Sequence, residues 1–348
     1  LLYSRKLVLD RDDFMSVTIK DIAKAANVSY ATVSRALSDH PDISEETKKK
    51  IKKLAKDMGY TPNIIARSLI TKATKTIGLI IPDITNPFFP EVAQGVESYA
   101  YDNGYTVLLC TTNWQIDREK RYLKALRSKM VDGIIIAPAI DDISHIISNF
   151  NGGDTPVVFV TYSPDDPDCS FVATDDYKCG FMATEYLLKL GHRNIAYIGG
   201  LENSSSDRRR FEGYREALKS YGLQLRYSPM HGQFKQMSGY ELTKELLIYN
   251  DIPTAILAGN DVLALGVIQA VEEFGLKVPD SVSVMGIDDI SFASFDKISL
   301  TTVAQPKVKI GQLAAEIIIQ KINSPQDKTP VKKVLEPRLI IRRTCRSI

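Results

Sequence analysis

The chain has 348 residues, 44% apolar composition and a formal net charge of +2, enough apolar material to bury the cores of two or three domains. No apolar run reaches the length of a membrane span, and the opening LLYSRKLVLDRDDF is too charged and broken for a secretory signal. Four cysteines without a CxxC pair and four scattered histidines indicate neither a disulfide framework nor a metal site, which fits a reduced, cytoplasmic protein.

Met15 reads as a natural start, so residues 1–14 are an N-terminal extension that need not be native. Residues 18–37, TIKDIAKAANVSYATVSRAL, then read as two short helices. Thr18 stands where an N-cap belongs, Asp21 is spaced to reach back to it, and Val17 and Ile22 are spaced as a hydrophobic staple. Ile22, Ala23 and Ala26 share a face, and Asn27 supplies the left-handed residue that ends the helix. Ser29 caps the second helix, in which Val33 and Leu37 face inward and Tyr30, Ala31, Thr32, Ser34 and Arg35 face outward. Short hydrogen-bonding side chains with one arginine suit a surface that reads base edges in a DNA groove; an ordinary αα-hairpin has the same pattern.

Ser44-Glu45-Glu46-Thr47 starts a third helix with acids at its positive end, and Ile51, Leu54, Ala55 and Met58 form its apolar stripe. Its other faces carry Lys48, Lys49, Lys50, Lys52, Lys53 and Lys56. Residues 15–76 hold 12 Lys/Arg against 6 Asp/Glu, whereas residues 77–348 hold 29 against 33. The small net charge thus hides a basic head on a mildly acidic body, and a basic head attracts phosphates without specifying a sequence. Tyr60-Thr61-Pro62-Asn63-Ile64-Ile65-Ala66-Arg67-Ser68-Leu69 follows, with Pro62 able to open a short helix. An apolar Leu69 near a small Ala66 suits a wedge that opens base steps from the minor groove; a plain linker with Leu69 tucked against the body reads the same way.

From Thr76 onward, β-rich runs alternate with amphipathic helices. The expected strands are TIGLIIP, YTVLLCT, DGIIIAP, PVVFVTY, NIAYIGG, TAILAGN and SVSVMGI, separated by helices such as EVAQGVESYAYDNG and FEGYREALKSYG. Such alternation predicts parallel sheets with helices on both faces. The scheme occurs twice, roughly over 77–174 and 178–302, and the runs near Thr301–Gln305 and Thr329–Glu336 cross back between the halves. No GxGxxG fingerprint or P-loop supports nucleotide chemistry, and no cofactor is called for. Nor is there a nucleophile with its base to make an enzyme. Open parallel sheets bind ligands beyond the carboxyl ends of their strands. Past those ends lie Asp83, Asn113-Trp114, Thr161-Tyr162, Asn203 to Ser206, Asn260-Asp261 and Asp288-Asp289, groups suited to a small polar or polyhydroxylated ligand or to ordinary caps and turns.

The runs VTIKDIAKAANVSYATVSRAL, GYTPNIIARSL and TIGLIIPDITNPFF, then GND-x-x-ALG (Gly259 to Gly266), PDSVSVMGIDD (Pro279 to Asp289) and LTTVAQP (Leu300 to Pro306), occur in order. From about Val17 to Arg343 the chain resembles the LacI/GalR family of bacterial transcription regulators. The resemblance implies an α/β architecture: an N-terminal all-α helix-turn-helix domain followed by a two-lobed, doubly wound parallel-sheet sensor of periplasmic-binding-protein type. Its expected divisions are a DNA-binding domain at 15–61, a hinge helix and linker at 62–76, and an effector-binding and dimerisation domain at 77–348. Lobe 1 is expected at about 77–174 and 305–330, lobe 2 at about 178–302 and 335–348.

The resemblance also implies site residues. For DNA, Tyr30, Ala31 and Arg35 are expected at base edges, and Thr18, Ser29, Thr32, Ser34, Ser44 and Asn63 at phosphates or local backbone. Tyr60, Ala66 and Leu69 are expected around the hinge. For an effector, Arg210, Asp288 and Asn260 match positions that grip polar groups, Phe88, Phe89 and Phe234 match ring-packing positions, and Ser206 a further polar one, with Arg210 expected to face Asp288 across the cleft. Two departures stand out. Thr161 occupies a place where sugar-responsive members carry Asp, and Trp114 one where a small or acidic residue is commoner. Trp114 then either stacks on a sugar face or covers the lobe edge. The implied function is that of a repressor on a near-palindromic double-stranded DNA operator, controlled by a small sugar-like effector. The alternatives are control by a protein coregulator and, with no use for the basic head, a solute-binding protein. No heptad segment follows RLIIRRT, so a homodimer is expected.

Overall fold

The computed structural model describes residues 17–60, 73–150, 155–164, 166–249 and 251–348. The chain divides into two compact units between Thr74 and Lys75. Asn63, Ala66 and Leu69, and the extension at 1–14, lie outside the described residues.

In the first unit α1 (Ile19–Ala26), α2 (Tyr30–Leu37) and α3 (Glu45–Asp57) enclose a small core. The Asp21 carboxylate accepts both the N–H and the hydroxyl of Thr18, at 2.8 and 2.7 Å, and so ties down the start of α1. Asn27 ends that helix at φ 55°. Ser29 and Ser44 each cap the helix they precede, accepting from Thr32 N at 3.1 Å and Thr47 N at 3.3 Å. Ile22, Val33, Ala36 and Ile51 are buried at the centre, with Tyr60 packed against them. Two expectations change. Ala36 accompanies Val33 inward while Leu37 is only half-buried, and Lys48 is buried rather than solvated, its ammonium reaching Glu45 at 2.7 Å. A lysine stem covers apolar surface as well as a short aliphatic chain does. Tyr30, 65% exposed, stands on the outer face of α2 with Ser34 and Arg35, while Ala31 and Thr32 are half-buried.

The second unit contains two six-stranded sheets. The first runs β11-β5-β4-β3-β1-β2, all parallel; the second runs β12-β10-β9-β8-β6-β7, parallel except for β12. The strands are β1 (Thr76–Ile81), β2 (Thr106–Thr111), β3 (Gly133–Ile136), β4 (Val157–Val160), β5 (Ser170–Thr174), β6 (Ile195–Gly199), β7 (Met230–His231), β8 (Ala255–Ala258), β9 (Ser283–Asp288), β10 (Thr301–Ala304), β11 (Lys332–Leu335) and β12 (Arg338–Ile340). Central strands such as β3, β6 and β8 are buried throughout, as β-branched runs covered by helices on both faces should be.

The chain passes between the sheets three times. It leaves the first after β5 into the Asp176–Lys189 helix, which packs on β8, β9 and β10. It returns after β10 into the Lys307–Asn323 helix, which packs on β3, β4 and β5, and leaves again between Leu335 and Arg338. The first-lobe chain therefore runs on to β11, past the expected limit at 330, because Lys332–Leu335 pairs in parallel with Phe171–Thr174. Strands β5 and β7 were not expected from the sequence. Both are short, and β7 has only two residues.

Three helix pairs cross at reciprocal glycines: Gly95 with Gly311, Gly180 with Gly213, and Gly239 with Gly266. A Cβ at Gly180 would lie 1.9 Å from the carbonyl oxygen of Arg210, and one at Gly213 would lie 2.1 Å from that of Tyr177. Backbone, unlike a flexible side chain, has little room to retreat. Gly213→Ala should therefore lower the sensor's thermal midpoint through a cost of about 1–3 kcal/mol. An unchanged midpoint in a melting experiment would mean that the Asp176–Lys189 and Ser205–Ser220 helices have slack.

Candidate functional site

Beyond the carboxyl ends of the strands lies a cavity of about 610 Å³ between the two lobes, a size typical of small-molecule sites. All nine residues expected to meet an effector line it. Phe88, Phe89, Trp114 and Thr161 come from lobe 1, and Ser206, Arg210, Phe234, Asn260 and Asp288 come from lobe 2. The Phe88–Asp102 helix begins three residues before the sequence suggested, which places both phenylalanines in its first turn. Asn113, Trp114, Thr161 and Asp288, all on the cavity wall, have φ of 56°, 59°, 56° and 125°. Each such non-glycine residue costs roughly 1–3 kcal/mol, and such strain is commonest at functional sites.

One wall is aromatic. Phe88 meets Phe89 edge-on at 5.2 Å between centroids, and Phe89 meets Trp114 at 6.1 Å. Trp114 then meets Phe234 of the opposite lobe at 5.6 Å, inclined by 35°. Trp114 is thus part of the cavity wall and of a contact between the lobes.

The other wall is built on Arg210, which is 6% exposed. Its Nε donates to Asp176 Oδ1 at 2.8 Å, its Nη1 to the carbonyl oxygen of Gly259 at 2.7 Å, and its Nη2 lies 3.6 Å from Asp288 Oδ1. Asp288 also accepts from Gln305 Nε2 at 2.7 Å. Arg210 and Asp288 both belong to lobe 2, so the expected pairing across the cleft is corrected to a pairing side by side. The strand-end position of Asp288 and the Gly180–Gly213 crossing bring them together on one lobe. Burial alone would lower the pKa of Arg210, but Asp176 and Asp288 outweigh it and hold the guanidinium charged. Burial pushes Asp288 up to about 6 against the pull of Arg210, and raises Asp176 as well.

A polar bridge joins the lobes beside this wall. Asp141, after β3, accepts from Ser205 N at 2.9 Å through Oδ1 and from Arg208 Nη1 at 3.1 Å through Oδ2. It thereby caps the Ser205–Ser220 helix from the opposite lobe, where Ser204 supplies no side-chain cap of its own. Tyr162 fixes this loop by donating its hydroxyl to the Asp141 carbonyl at 2.8 Å, and the Ser206 hydroxyl points to the Thr161 carbonyl at 3.4 Å.

Other strand-end residues serve the fold. Asp83 closes a turn with Thr85, Asp289 pairs with Arg342 at 2.7 Å, and Asp261 accepts from Thr302 Oγ1 and Ile290 N behind the cavity. Asn260 lines the cavity and also caps a helix, accepting from Leu263 N at 2.9 Å. The sequence reading missed Asp141, Asp176 and Gln305. Asp141 follows a strand as the others do and was within reach of the same rule. Asp176 opens a helix, and no local signal marks it. Among the described residues no group of three or more His, Cys, Asp or Glu side chains gathers as metal ligands would.

Residues 18–63 match the family described as bacterial regulatory proteins, lacI family. Residues 74–344 match periplasmic binding proteins and sugar binding domain of LacI family. The chain belongs to the LacI family. It is 34% identical over 334 residues to the HTH-type transcriptional repressor PurR of Photobacterium profundum, covering 95% of this chain and 99% of that one. Its fold is similar to that of the lac repressor dimer bound to operator and the anti-inducer ONPF, with TM-score 0.86, 28% identity and coverage of 95% and 100%. It is also similar to a LacI family transcriptional regulator from Enterococcus faecium with bound ribose, with TM-score 0.71, 31% identity and coverage of 78% and 99%. This LacI-family member is a DNA-binding transcriptional repressor with a ligand-binding domain. Among the described residues no helix is long and apolar enough to cross a membrane.

Burial, with the charge of Asp288 behind it, pushes Asp261 up from 3.8 to about 7. A carboxyl whose folded pKa is raised stabilises the fold most fully below its unfolded value and loses that contribution as pH climbs through the folded one. Asp261→Asn should therefore gain stability relative to the native chain between pH 5 and 8, by roughly 2–3 kcal/mol. Parallel denaturation curves for the two proteins across that range would contradict the raised value.

Proposed function

We propose that the cavity receives a small polyhydroxylated ligand, a sugar or sugar derivative, and that its occupation adjusts the grip of the basic head on a near-palindromic operator. The observation that carries this is the convergence of the nine cavity residues with contacts that cross the cleft, from Trp114 to Phe234 and from Asp141 to Ser205 and Arg208. A ligand resting on both walls alters the terms on which the lobes close. The ribose bound to the Enterococcus faecium neighbour supports the ligand class. Two subunits, paired as in the lac repressor dimer, bring two heads to two half-sites. The site of action is the cytoplasm, where the DNA is, and no catalytic step is assigned to the chain.

In the head, Tyr30, Ala31 and Arg35 take the base edges, Arg35 being the best guanine reader among them. Ser29 and Ser44 already serve as caps, Thr32 donates its N–H to Ser29, and these helix ends offer further N–H groups to phosphates. Thr18, Ser34 and Asn63 contribute further backbone contacts, while Tyr60, Ala66 and Leu69 shape the hinge, with Leu69 as the minor-groove wedge. Ligand and operator then affect one another's affinity by the same factor.

Arg35→Ala should relax preference at one base pair of each half-site, at a cost of about 1–3 kcal/mol against the best sequence. Uniform weakening on every duplex in a gel-shift selection would restrict Arg35 to phosphate contact. Trp114 is the chain's only tryptophan, so its emission reports on the cavity. Titration with neutral sugars should change that emission and raise the melting temperature together. If neither responds to sugars while a nucleobase or a protein coregulator alters operator binding, the sugar assignment is wrong.

A further inference from the structure

We infer that the cavity admits an uncharged hydroxylated ligand and rejects the phosphorylated or carboxylated forms of the same compound. The inference deepens the sugar assignment above and depends on it. A buried arginine in a ligand cavity invites the opposite expectation, because a guanidinium is a ready receptor for phosphate or carboxylate. Here the charge of the guanidinium is already matched by carboxylates, although it keeps N–H donors for a neutral acceptor. Nε of Arg210 is bonded to Asp176, Nη1 to the Gly259 carbonyl, and Nη2 faces Asp288 at 3.6 Å. One buried cation stands between a buried carboxylate, Asp288, and a half-buried one, Asp176, so the wall is not short of negative charge.

The other cations near the cavity do not change this balance. Lys307, buried beside Asp288, donates to the carbonyls of Asp288 and Asp289 and lies 3.3 Å from Glu91. Arg208 is paired with Asp141. Lys235 lines the cavity but is exposed, and so is Glu202, which also lines it. An anion brought to the Arg210 guanidinium would sit a few ångströms from Asp288, which is itself out of water. At that separation in a partly dry site the repulsion, partly offset by Arg210, weakens binding by at least roughly tenfold. A neutral hydroxyl meets no such barrier. It can donate to the Asp288 carboxylate and accept from a guanidinium N–H, while its carbon-bound hydrogens rest on Trp114 and Phe234.

The test uses the full chain and matched probes: ribose with ribose 5-phosphate, and glucose with glucose 6-phosphate and glucuronate, titrated by calorimetry at pH 7.5 and followed by melting temperature. The expected result is that a neutral member binds and its anionic partners bind at least roughly tenfold more weakly. An anionic member that binds as tightly as its neutral partner, or more tightly, overturns the charge inference and leaves the sugar assignment standing. Silence from every probe removes the sugar assignment and the inference with it. Asp288→Asn keeps the side-chain shape and removes one negative charge, so it should narrow the gap between neutral and anionic partners by roughly tenfold. Asp176→Asn, which does not line the cavity, should narrow it in the same direction. A gap unmoved by both substitutions means that something other than these carboxylates excludes the anion, and the inference fails.

Discussion

The binding wall depends on a guanidinium that is almost wholly withdrawn from water. Arg210 ties together the start of the Asp176–Lys189 helix, the end of β8 through Gly259 and the end of β9 through Asp288. Removing a charge from water costs several kcal/mol, and only good geometry with near-complete partnering returns it. That geometry rests on the backbone. The Asp176–Lys189 and Ser205–Ser220 helices touch through Gly180 and Gly213, with no side chain between them. Their separation brings Asp176 within reach of Arg210. A packing detail thus decides an electrostatic one, and the electrostatic one shapes what the cavity can accept.

The opposite wall is held differently. Phe88, Phe89 and Trp114 form a chain of edge contacts that reaches Phe234 on the second lobe. These contacts bury apolar area without demanding one partner at one distance, so they tolerate small changes in the angle between lobes. The Asp141 carboxylate does demand such a partner, because it satisfies a helix N–H and an arginine on the opposite lobe. The cleft therefore combines compliant aromatic contacts with exacting polar ones. The passages between the sheets sit nearby, with Gln305 on Asp288, Lys307 on the Asp288 and Asp289 carbonyls, and Lys178 paired with Glu336.

Much of this was legible in the sequence, for identifiable reasons. Runs such as TIGLIIP and NIAYIGG are buried on both faces, and the β-branched density that marks them comes from that burial. The head was legible because Thr18, Asn27, Ser29 and Ser44 mark helix boundaries by local chemistry that tertiary structure leaves intact. Strand-end polar residues pointed to the cavity because a parallel sheet sends every chain out at the same edge. What stayed hidden was relational. Nothing local says that Arg210 and Asp288 share a lobe, that Asp176 completes their charge balance, or that Gly180 faces Gly213. Strand β7, at two residues, is too short to carry a period. Lys48 misled because a lysine run looks solvated until the third dimension turns one member inward.

The trans-lobe cap at Asp141 has an energetic corollary. A helix terminus that finds its acceptor only when the lobes meet gives the empty receptor a standing preference for the shut arrangement, before any guest arrives. Apparent affinity equals intrinsic affinity scaled by the fraction of molecules already competent to bind. Substitutions at Asp141 or Arg208 would then retune the dose at which the switch responds, while Arg210 and its carboxylates go on choosing the guest.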